Sequence, residues 1–260
     1  MRSKISIITI TYNNLEGLKK TFDSVCSQTW KGYEHIIIDG GSNDGTRAYL
    51  ESLDNRVSYW VSEPDNGVYQ AMNKGIKKAT GDYLVFLNSG DHFYNNKVLE
   101  KNIDCLGKSD IIYFNLQVIG EKDNFIKEYP EVLSFSYFVK DTLPHPATFI
   151  KKEVFDKVGL YDESLKIVSD WKFFMDSICK NNISYQKINA PLSTFYLDGM
   201  SSNSNNKNVI VNERQGVLNS EYAVFVQDLE DVIKYRGIIS GLRQSRIINL
   251  LVKLGFLNKI

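Results

Sequence analysis

Long blocks of apolar and amphipathic residues alternate along the N-terminal part of the chain. Nearly continuous apolar runs, typical of strands covered on both faces, occur at Ile5–Ile10, His35–Asp39, Arg56–Glu63 and Asp82–Asn88. Between them, apolar residues recur at helical spacing, namely Leu15, Leu18, Phe22, Val25 and Trp30 in one segment and Val68, Met72, Ile76 and Ala79 in another. This alternation predicts a doubly wound α/β layer with a mostly parallel sheet and helices on its faces.

The pattern changes from about Ile111 onward. Longer strand-like pieces follow, then a helix predicted from about Lys151 to Val158, a helix starting near Asp170, and a polar loop. We therefore predict one domain over residues 1–205, with halves at about 1–110 and 111–205, and a helical extension over 206–260. Residues 234–260 contain no acid and predict a basic amphipathic tail, with Lys234, Arg236, Arg243, Arg246, Lys253 and Lys259.

The composition of the chain argues against several classes of protein. The 260 residues are 43% hydrophobic and carry 31 basic and 31 acidic side chains, so no overall charge draws the chain to nucleic acid. Cys26, Cys105 and Cys179 are odd in number and widely spaced, which fits neither a disulfide framework nor a zinc site. The sequence shows neither the pattern of a secretory leader nor a run of about 20 apolar residues. We therefore expect a cytoplasmic protein that does not span a membrane.

Polar side chains with ligand-binding chemistry follow each N-terminal strand. Since ligands of such folds bind outside the carboxyl ends of the strands, these residues are expected to converge. They are Thr11 and Asn13, Asp39 and Asp44, Glu63 and Asp65, and Asn88, Ser89 and Asp91. The phosphate-binding patterns GxGxxG and GxxxxGK[ST] are both absent. A hard divalent cation held by a carboxylate is the alternative way to meet phosphate charge, and Asp91 is the candidate ligand.

Four segments together resemble a known family. The segments SIITITYNN, IIIDGGSNDGT, SEPDNGVYQAMNKGIKKATGDYLVFLNSGD and LPHPATFIKKEVFDKVGLYDESLKIVSDW are similar, in order and spacing, to inverting family 2 nucleotide-sugar glycosyltransferases with the GT-A fold. Within that family the likeness is to bacterial enzymes of surface polysaccharide synthesis, of the colanic acid type. It covers roughly residues 4 to 202.

The resemblance implies roles for individual residues. It places Asp39 at the nucleobase, usually uracil, with Thr11 lining the same pocket, Asp44 near the nucleoside, and Asp65, Asn73 and Lys74 bordering the donor site. It implies metal binding, by Mn or Mg, at the segment NSGD. Where the family's metal motif has its first acid, this sequence has Asn88, followed by Ser89 and Gly90. Asp91 is therefore the carboxylate that remains in this motif. His145 resembles an acceptor-side position, and Met200 and Ser201 belong to a loop that closes near the diphosphate.

The resemblance also implies the catalytic base. It falls on Asp170, preceded by Ser169 where the family often has Glu. A carboxylate there would remove a proton from the acceptor hydroxyl as that hydroxyl attacks the anomeric carbon. The implied activity is transfer of a hexosyl or N-acetylhexosaminyl group from a nucleotide-diphospho-sugar to a saccharide or lipid-linked saccharide. A UDP-sugar is the expected donor. A catalytically inactive homologue that binds nucleotide sugar or glycan is the alternative.

Structural explanations compete with each role. Asp39, Asp44, Asp65 and Asp91 also suit turns or helix caps, and Asp170 also suits a helix N-terminus. His145 suits a packed, hydrogen-bonded core position equally well, while Trp171, Phe173 and Phe174 are expected in the core. The tail is expected to lie on the inner face of the membrane, to pair with a second subunit or to pack on its own domain. The sequence leaves donor sugar, acceptor, linkage and oligomeric state open.

Overall fold

The structure is a computed structural model that describes residues 4–197, 199, 202–245, 248, 252 and 253. The chain divides into two compact units, Met1–Glu213 and Arg214–Ile260. The strands are β1 Ile5–Thr11, β2 Tyr33–Asp39, β3 Tyr59–Ser62, β4 Tyr83–Phe86, β5 His92–Phe93, β6 Ile111–Ile119, β7 Asn124–Lys127, β8 Thr148–Lys151 and β9 Tyr185–Tyr196. The helices are α1 Leu15–Cys26, α2 Thr46–Ser52, α3 Val68–Lys78, α4 Val98–Asn102, α5 Phe135–Lys140, α6 Glu153–Val158, α7 Ser169–Met175, α8 Lys207–Glu221 and α9 Ala223–Gln244.

The first unit is built on a mixed, mostly parallel sheet. Its strand order is β3-β2-β1-β4-β8-β6-β9-β5, with β7 paired to β6. β3, β2, β1 and β4 run parallel, as the sequence predicts. β8 is antiparallel to both of its neighbours, and the pairing of β6 with β9 is parallel again. All seven residues of β1 are buried, which is why its sequence shows no polar face.

Helices cover both faces of the parallel strands. Leu18 and Phe22 of α1 pack with Ile37 and with Leu50 of α2 on one face. Ile8 points to the opposite face because successive strand residues alternate. There it meets α3, where a Cβ added to Gly75 would lie 2.5 Å from Ile8 Cγ2. Each buried Leu, Ile or Phe contributes about 1.5–3 kcal/mol relative to an exposed one, so these layers hold the strand ends in place.

Several sequence-predicted boundaries were wrong. Trp30 lies beyond α1, which ends at Cys26. The predicted third strand is shorter because a 3₁₀ turn occupies Asp54–Arg56. Lys151 ends strand β8 instead of starting a helix, because its backbone pairs with Tyr83 of β4. None of the helices in the described part of the chain combines the length and apolar character needed to cross a bilayer.

Candidate functional site

The ends of three parallel strands place Thr11, Asp39 and Ser62 side by side. Thr11 is paired with Asp39 across β1 and β2, and Asp39 with Ser62 across β2 and β3. Asp39 is fully buried. One of its oxygens, Oδ2, accepts a hydrogen bond from the Ser62 hydroxyl at 2.6 Å, and the other, Oδ1, accepts one from the Ser42 hydroxyl at 2.5 Å. The hydroxyl oxygen of Thr11 is buried and has no hydrogen-bond partner among the described residues. This row therefore holds an acceptor and a donor group facing the carboxyl edge of the sheet.

Ser42 joins the loops that follow β1 and β2. Its hydroxyl oxygen accepts the Asn13 backbone N–H at 2.7 Å, while the Asn13 side-chain oxygen accepts the backbone N–H of Asn43 at 2.9 Å. Asn13 has a backbone φ of 48°, which Asn tolerates better than most residues. The two loops thus form one connected wall beside Asp39.

Asp44 caps α1 and its own turn. Its carboxylate accepts the backbone N–H of Leu15 at 2.9 Å and both the hydroxyl and the N–H of Thr46 at 2.7 and 3.1 Å. These bonds, led by the Thr46 hydroxyl, hold the pKa of Asp44 below its ordinary value. The structure therefore uses Asp44 in the capping role that the sequence also allowed.

Gly40 permits Asp65 to approach the strand end. A Cβ at Gly40 would lie 2.7 Å from Asp65 Oδ2 and 3.3 Å from Cδ2 of Tyr12. Asp65 Oδ1 accepts the backbone N–H of Gly67 at 3.0 Å, just before α3 begins. Tyr12 is 66% exposed. Asp65 and an open aromatic ring consequently lie next to the residue that follows Asp39.

The loop after β4 carries Asn88, Ser89 and Asp91 against α1. The Asn14 side-chain amide donates to the backbone oxygen and the hydroxyl of Ser89 at 3.1 and 3.2 Å. The Thr21 hydroxyl lies 2.6 Å from the Asp91 backbone oxygen. Asn14 and Asn13 are adjacent, so the loop after β1 contacts both the Asp39 loop and the Asp91 loop. The structure thus brings these two predicted regions to one edge of the sheet.

The turn at residues 88–91 offers oxygen ligands of the kind that Mg²⁺ and Mn²⁺ prefer. Asp91 is buried, and the side-chain oxygen of Asn88 is buried without a hydrogen-bond partner among the described residues. No group of three or more His, Cys, Asp or Glu side chains in the described part of the chain is arranged to hold a metal. Asp91 and Asn88 therefore supply oxygen atoms of the type such a cation binds, but fewer than a full coordination shell.

Helix α3 supports the segment that leads to α7. The Asn73 side chain accepts the backbone N–H of Tyr161 at 3.0 Å and donates to the Tyr161 carbonyl at 2.9 Å and to Glu163 at 2.8 Å. Lys74 pairs with Glu63 at 2.7 Å. The structure therefore places Asn73 and Lys74 as links between segments, with Asn73 buried.

Asp170 meets the same helix through Tyr69. The Tyr69 hydroxyl lies 2.8 Å from Asp170 Oδ1 and 2.5 Å from the Ile167 carbonyl oxygen. Burial, and then the neighbouring charge of Asp170, raise the pKa of Tyr69 well above its ordinary value, so the hydroxyl remains a donor. Asp170 is half-buried, and its Oδ2 accepts no hydrogen bond from the described residues. Oδ2 is thus the carboxylate oxygen of Asp170 that has no protein donor among the described residues.

His145 lies inside an aromatic cluster behind Asp170. Its ring stacks on Phe86 with centroids 4.6 Å apart, and its Nε2 lies 3.0 Å from the Tyr161 hydroxyl. Burial lowers the pKa of His145, and the charge of Asp170 opposes that shift. This is the packed position that the sequence left open. Phe173, Phe174 and Trp171 are buried, which confirms the core prediction for them.

Met200 and Ser201 lie outside the described residues, as does Asp198. The strand β9 that precedes them ends at Tyr196, whose hydroxyl lies 3.1 Å from Nε2 of His92, the residue after Asp91. Strand β9 therefore ends close to the Asp91 turn.

Sequence reasoning missed residues that hold the site together. Ser42 and Ser62 bind Asp39, and Tyr69 binds Asp170. Ser62 could have been found by aligning the last residues of the predicted strands, because parallel strands end at one edge. Tyr69 could not, because it is 101 positions from Asp170 along the chain.

Comparisons with known proteins agree with this architecture. Residues 6–159 match the sequence family Glycosyl transferase family 2. An uncharacterized glycosyltransferase of Mycobacterium tuberculosis is 39% identical over 176 residues, which cover 66% of this chain and 67% of that protein.

Solved structures show the same GT-A fold. Residues 1–349 of S. aureus TarS in complex with UDP-GlcNAc align with a TM-score of 0.64 at 18% identity, covering 84% of this chain and 67% of that chain. The mannosyltransferase PcManGT from Pyrobaculum calidifontis in complex with GDP-Man and Mn²⁺ aligns with a TM-score of 0.58 at 13% identity, covering 78% and 59%.

Proposed function

The chain belongs to glycosyltransferase family 2, and on that premise we propose that it transfers one sugar, with inversion, from a nucleotide-diphospho-sugar to a saccharide or lipid-linked saccharide. The observation that carries the proposal is the continuous set of contacts at the carboxyl edge of the sheet. Gly40, which follows Asp39, lies against Asp65, and Asp65 accepts the backbone N–H of Gly67 just before α3. Tyr69 of α3 then contacts Asp170. Donor and base would then share one cleft.

The nucleoside is proposed to lie over the row formed by Thr11, Asp39 and Ser62. The unpartnered Thr11 hydroxyl can donate to or accept from a base, and the serine hydroxyls on Asp39 can rotate to leave a carboxylate oxygen for a base N–H. The exposed ring of Tyr12 offers a face for stacking. A uridine donor is favoured, and the UDP-GlcNAc complex of TarS supports that choice by fold.

Asp170 is proposed as the general base. Its Oδ2 takes the proton of the acceptor hydroxyl while the oxygen of that hydroxyl forms a bond to the anomeric carbon. On the opposite face, the bond from the anomeric carbon to the diphosphate oxygen breaks, and its electron pair leaves with the nucleoside diphosphate. Proton transfer by a positioned carboxylate contributes roughly 10²–10⁴-fold in rate.

Asp91 and the side-chain oxygen of Asn88 are the residues proposed to hold a divalent cation with the diphosphate. Such a cation, when bound, stabilises negative charge on the departing diphosphate. The Mn²⁺ in the PcManGT complex supports Mn or Mg as the cofactor. Asn14 contributes by fixing Ser89 and hence the path of this turn.

The C-terminal segment is proposed to bring the enzyme to the inner face of an anionic membrane, where a lipid-linked acceptor would lie. In α9, Ile233, Tyr235 and Ile238 are exposed, and the sequence from 234 onward carries basic residues without acids. Co-sedimentation with anionic and with neutral vesicles tests this. Binding to anionic vesicles that a deletion of residues 234–260 abolishes supports it, whereas dimerisation without vesicle binding would favour a subunit contact instead.

A panel of nucleotide sugars, each with and without Mn²⁺, tests the proposed function. A donor that binds the folded protein raises its melting temperature, by an amount equivalent to about 2.7 kcal/mol at a concentration 100 times Kd. We expect UDP-sugars to raise it more than GDP-sugars, and more with Mn²⁺ present. If no nucleotide sugar shifts the melting temperature under either condition, the proposal is wrong.

A further inference from the structure

Segment 166–170, which ends in Asp170, is held from two sides by residues that are distant in sequence. Glu213 of α8 accepts the backbone N–H of Lys166 at 2.6 Å with Oε1 and the N–H of Ile167 at 3.1 Å with Oε2. On the other side, the Tyr69 hydroxyl contacts the Ile167 carbonyl and Asp170 Oδ1. The Ile167 peptide groups are therefore fixed at both their donor and acceptor ends.

Tyr69 can serve both protonation states of Asp170. A hydroxyl carries one proton but lies within hydrogen-bond distance of two acceptors, Asp170 Oδ1 at 2.8 Å and the Ile167 oxygen at 2.5 Å. While Asp170 is a carboxylate, the hydroxyl can donate to it. Once Oδ2 of Asp170 has gained a proton, Oδ1 is a weaker acceptor, and the Tyr69 hydroxyl can donate to the Ile167 carbonyl oxygen instead, so the hydroxyl keeps an acceptor after the transfer.

Glu213 lies on the helix that follows the predicted closing loop. α8 begins at Lys207, after the 3₁₀ turn Ser204–Asn206. The carboxylate of Glu213 accepts two N–H groups of the segment just before α7, at 2.6 and 3.1 Å. Hydrogen bonds to a charged acceptor are stronger than those to a neutral one. The position of the base thus depends on an element beyond the region matched by the family.

We infer that Tyr69 and Glu213 are positioning residues, which together hold Asp170 so that its Oδ2 faces the acceptor hydroxyl. The inference rests on the proposed function. It assigns these two residues to the chemical step, not to donor binding. A misplacement of the base by about 1 Å is enough to cost about 100-fold in rate.

The test compares Tyr69→Phe and Glu213→Gln with two matched controls at the opposite end of the sheet. Tyr83→Phe removes a buried hydroxyl that donates to the Ser109 carbonyl, and Glu34→Gln alters a carboxylate that accepts the backbone N–H groups of Thr80 and Gly81. For each purified full-length variant, kcat, the KM and Kd of the donor, and the melting temperature are measured.

We expect Tyr69→Phe and Glu213→Gln to lower kcat by about 10- to 100-fold, with donor Kd changed less than about twofold. The controls should lower the melting temperature without lowering kcat comparably. In an Asp170→Asn background, adding Tyr69→Phe should cause no further loss of transfer, because the two residues act as a unit.

If the parent is active and the folded Tyr69→Phe and Glu213→Gln variants keep full kcat, the positioning inference is wrong while the proposed function stands. The same holds if kcat falls equally in both controls. A loss confined to donor Kd also overturns it. A parent protein that binds no nucleotide sugar and transfers none overturns the proposed function, and the inference falls with it. The result expected here is therefore distinct from either failure.

Discussion

Thr11 and Asp39 lie opposite each other at the ends of neighbouring parallel strands, yet their hydrogen bonding differs completely. The Asp39 carboxylate is bound by serine hydroxyls, whereas the Thr11 hydroxyl has no partner among the described residues. A buried polar group without a hydrogen-bond partner lowers the stability of the fold, and such groups are expected mainly at functional sites, where a ligand can supply the missing partner. We therefore expect the nucleoside to bind at this pair of residues.

Thr11→Val should weaken donor binding by about 5- to 10-fold, equivalent to about one lost hydrogen bond of 1 kcal/mol or slightly more. It should leave the melting temperature unchanged or higher, since it removes an unsatisfied group. Thr9→Val is the matched control in the same strand, because the Thr9 hydroxyl lies 2.9 Å from His35 Nε2. That control should lower stability and leave donor affinity intact. Calorimetric titration and thermal melts distinguish the two, and equal donor affinity in Thr11→Val would contradict the placement.

Asp44→Ala should act on stability more than on the donor. Its carboxylate accepts the Leu15 N–H at the start of α1 and both groups of Thr46, so we expect a loss of about 1–2 kcal/mol in the free energy of unfolding. Denaturant titration measures this. A tenfold loss of donor affinity in a variant of normal stability would instead show that Asp44 binds the nucleoside directly.

Stability should fall as the solution is acidified below about pH 6.5. Burial lowers the pKa of His35 from 6.5 to about 3, so in this window the unfolded chain binds a proton that the folded chain does not. The loss should reach about 2 kcal/mol by about pH 5 from His35 alone. His35→Gln keeps a partner for Thr9 but cannot titrate, and melting curves across pH should show a smaller slope. An unchanged slope would contradict the assignment.

Further acidification should expose a second contribution, from Glu34. Burial alone would raise the pKa of Glu34, but hydrogen bonds from Ser6, Thr80 and Lys4 outweigh it and lower that pKa to about 2. The stability that Glu34 supplies is therefore complete above its unfolded value of about 4.5 and is lost as the pH falls toward about 2. Glu34→Gln should remove this lower part of the acid transition while leaving the part above pH 4.5.

Asp91→Asn should raise the Mn²⁺ concentration needed for half-maximal activity by about tenfold or more, because a neutral amide is a weaker ligand for a hard cation. Asp82→Asn provides the control at the start of β4, where the carboxylate accepts the Lys4 backbone N–H at 2.9 Å. A metal titration of activity compares them. The same Mn²⁺ dependence in both variants would remove Asp91 from the metal site.

The sequence predicted the parallel strands and the residues at their ends because both follow from local pattern. A run such as Ile5–Thr11 is buried throughout, and a parallel sheet must bring its carboxyl ends together. The antiparallel insertion of β8 and the supports of Asp170 were not predictable in that way. Lys151 pairs with Tyr83, and Tyr69 contacts Ile167 across 98 positions, so these contacts depend on tertiary packing that no local pattern encodes.

Asp170 is proposed to act on an acceptor that lies beside a donor bound by other residues. Asp170→Asn keeps the shape of the side chain, and the amide group can still contact Tyr69, but it cannot take a proton. Transfer from the preferred nucleotide sugar should fall at least about 100-fold while the Kd of that donor changes less than about twofold. Transfer and donor affinity measured on the same preparations give the most direct test. Undiminished transfer by Asp170→Asn would contradict the account, and so would a loss of donor binding equal to the loss of transfer.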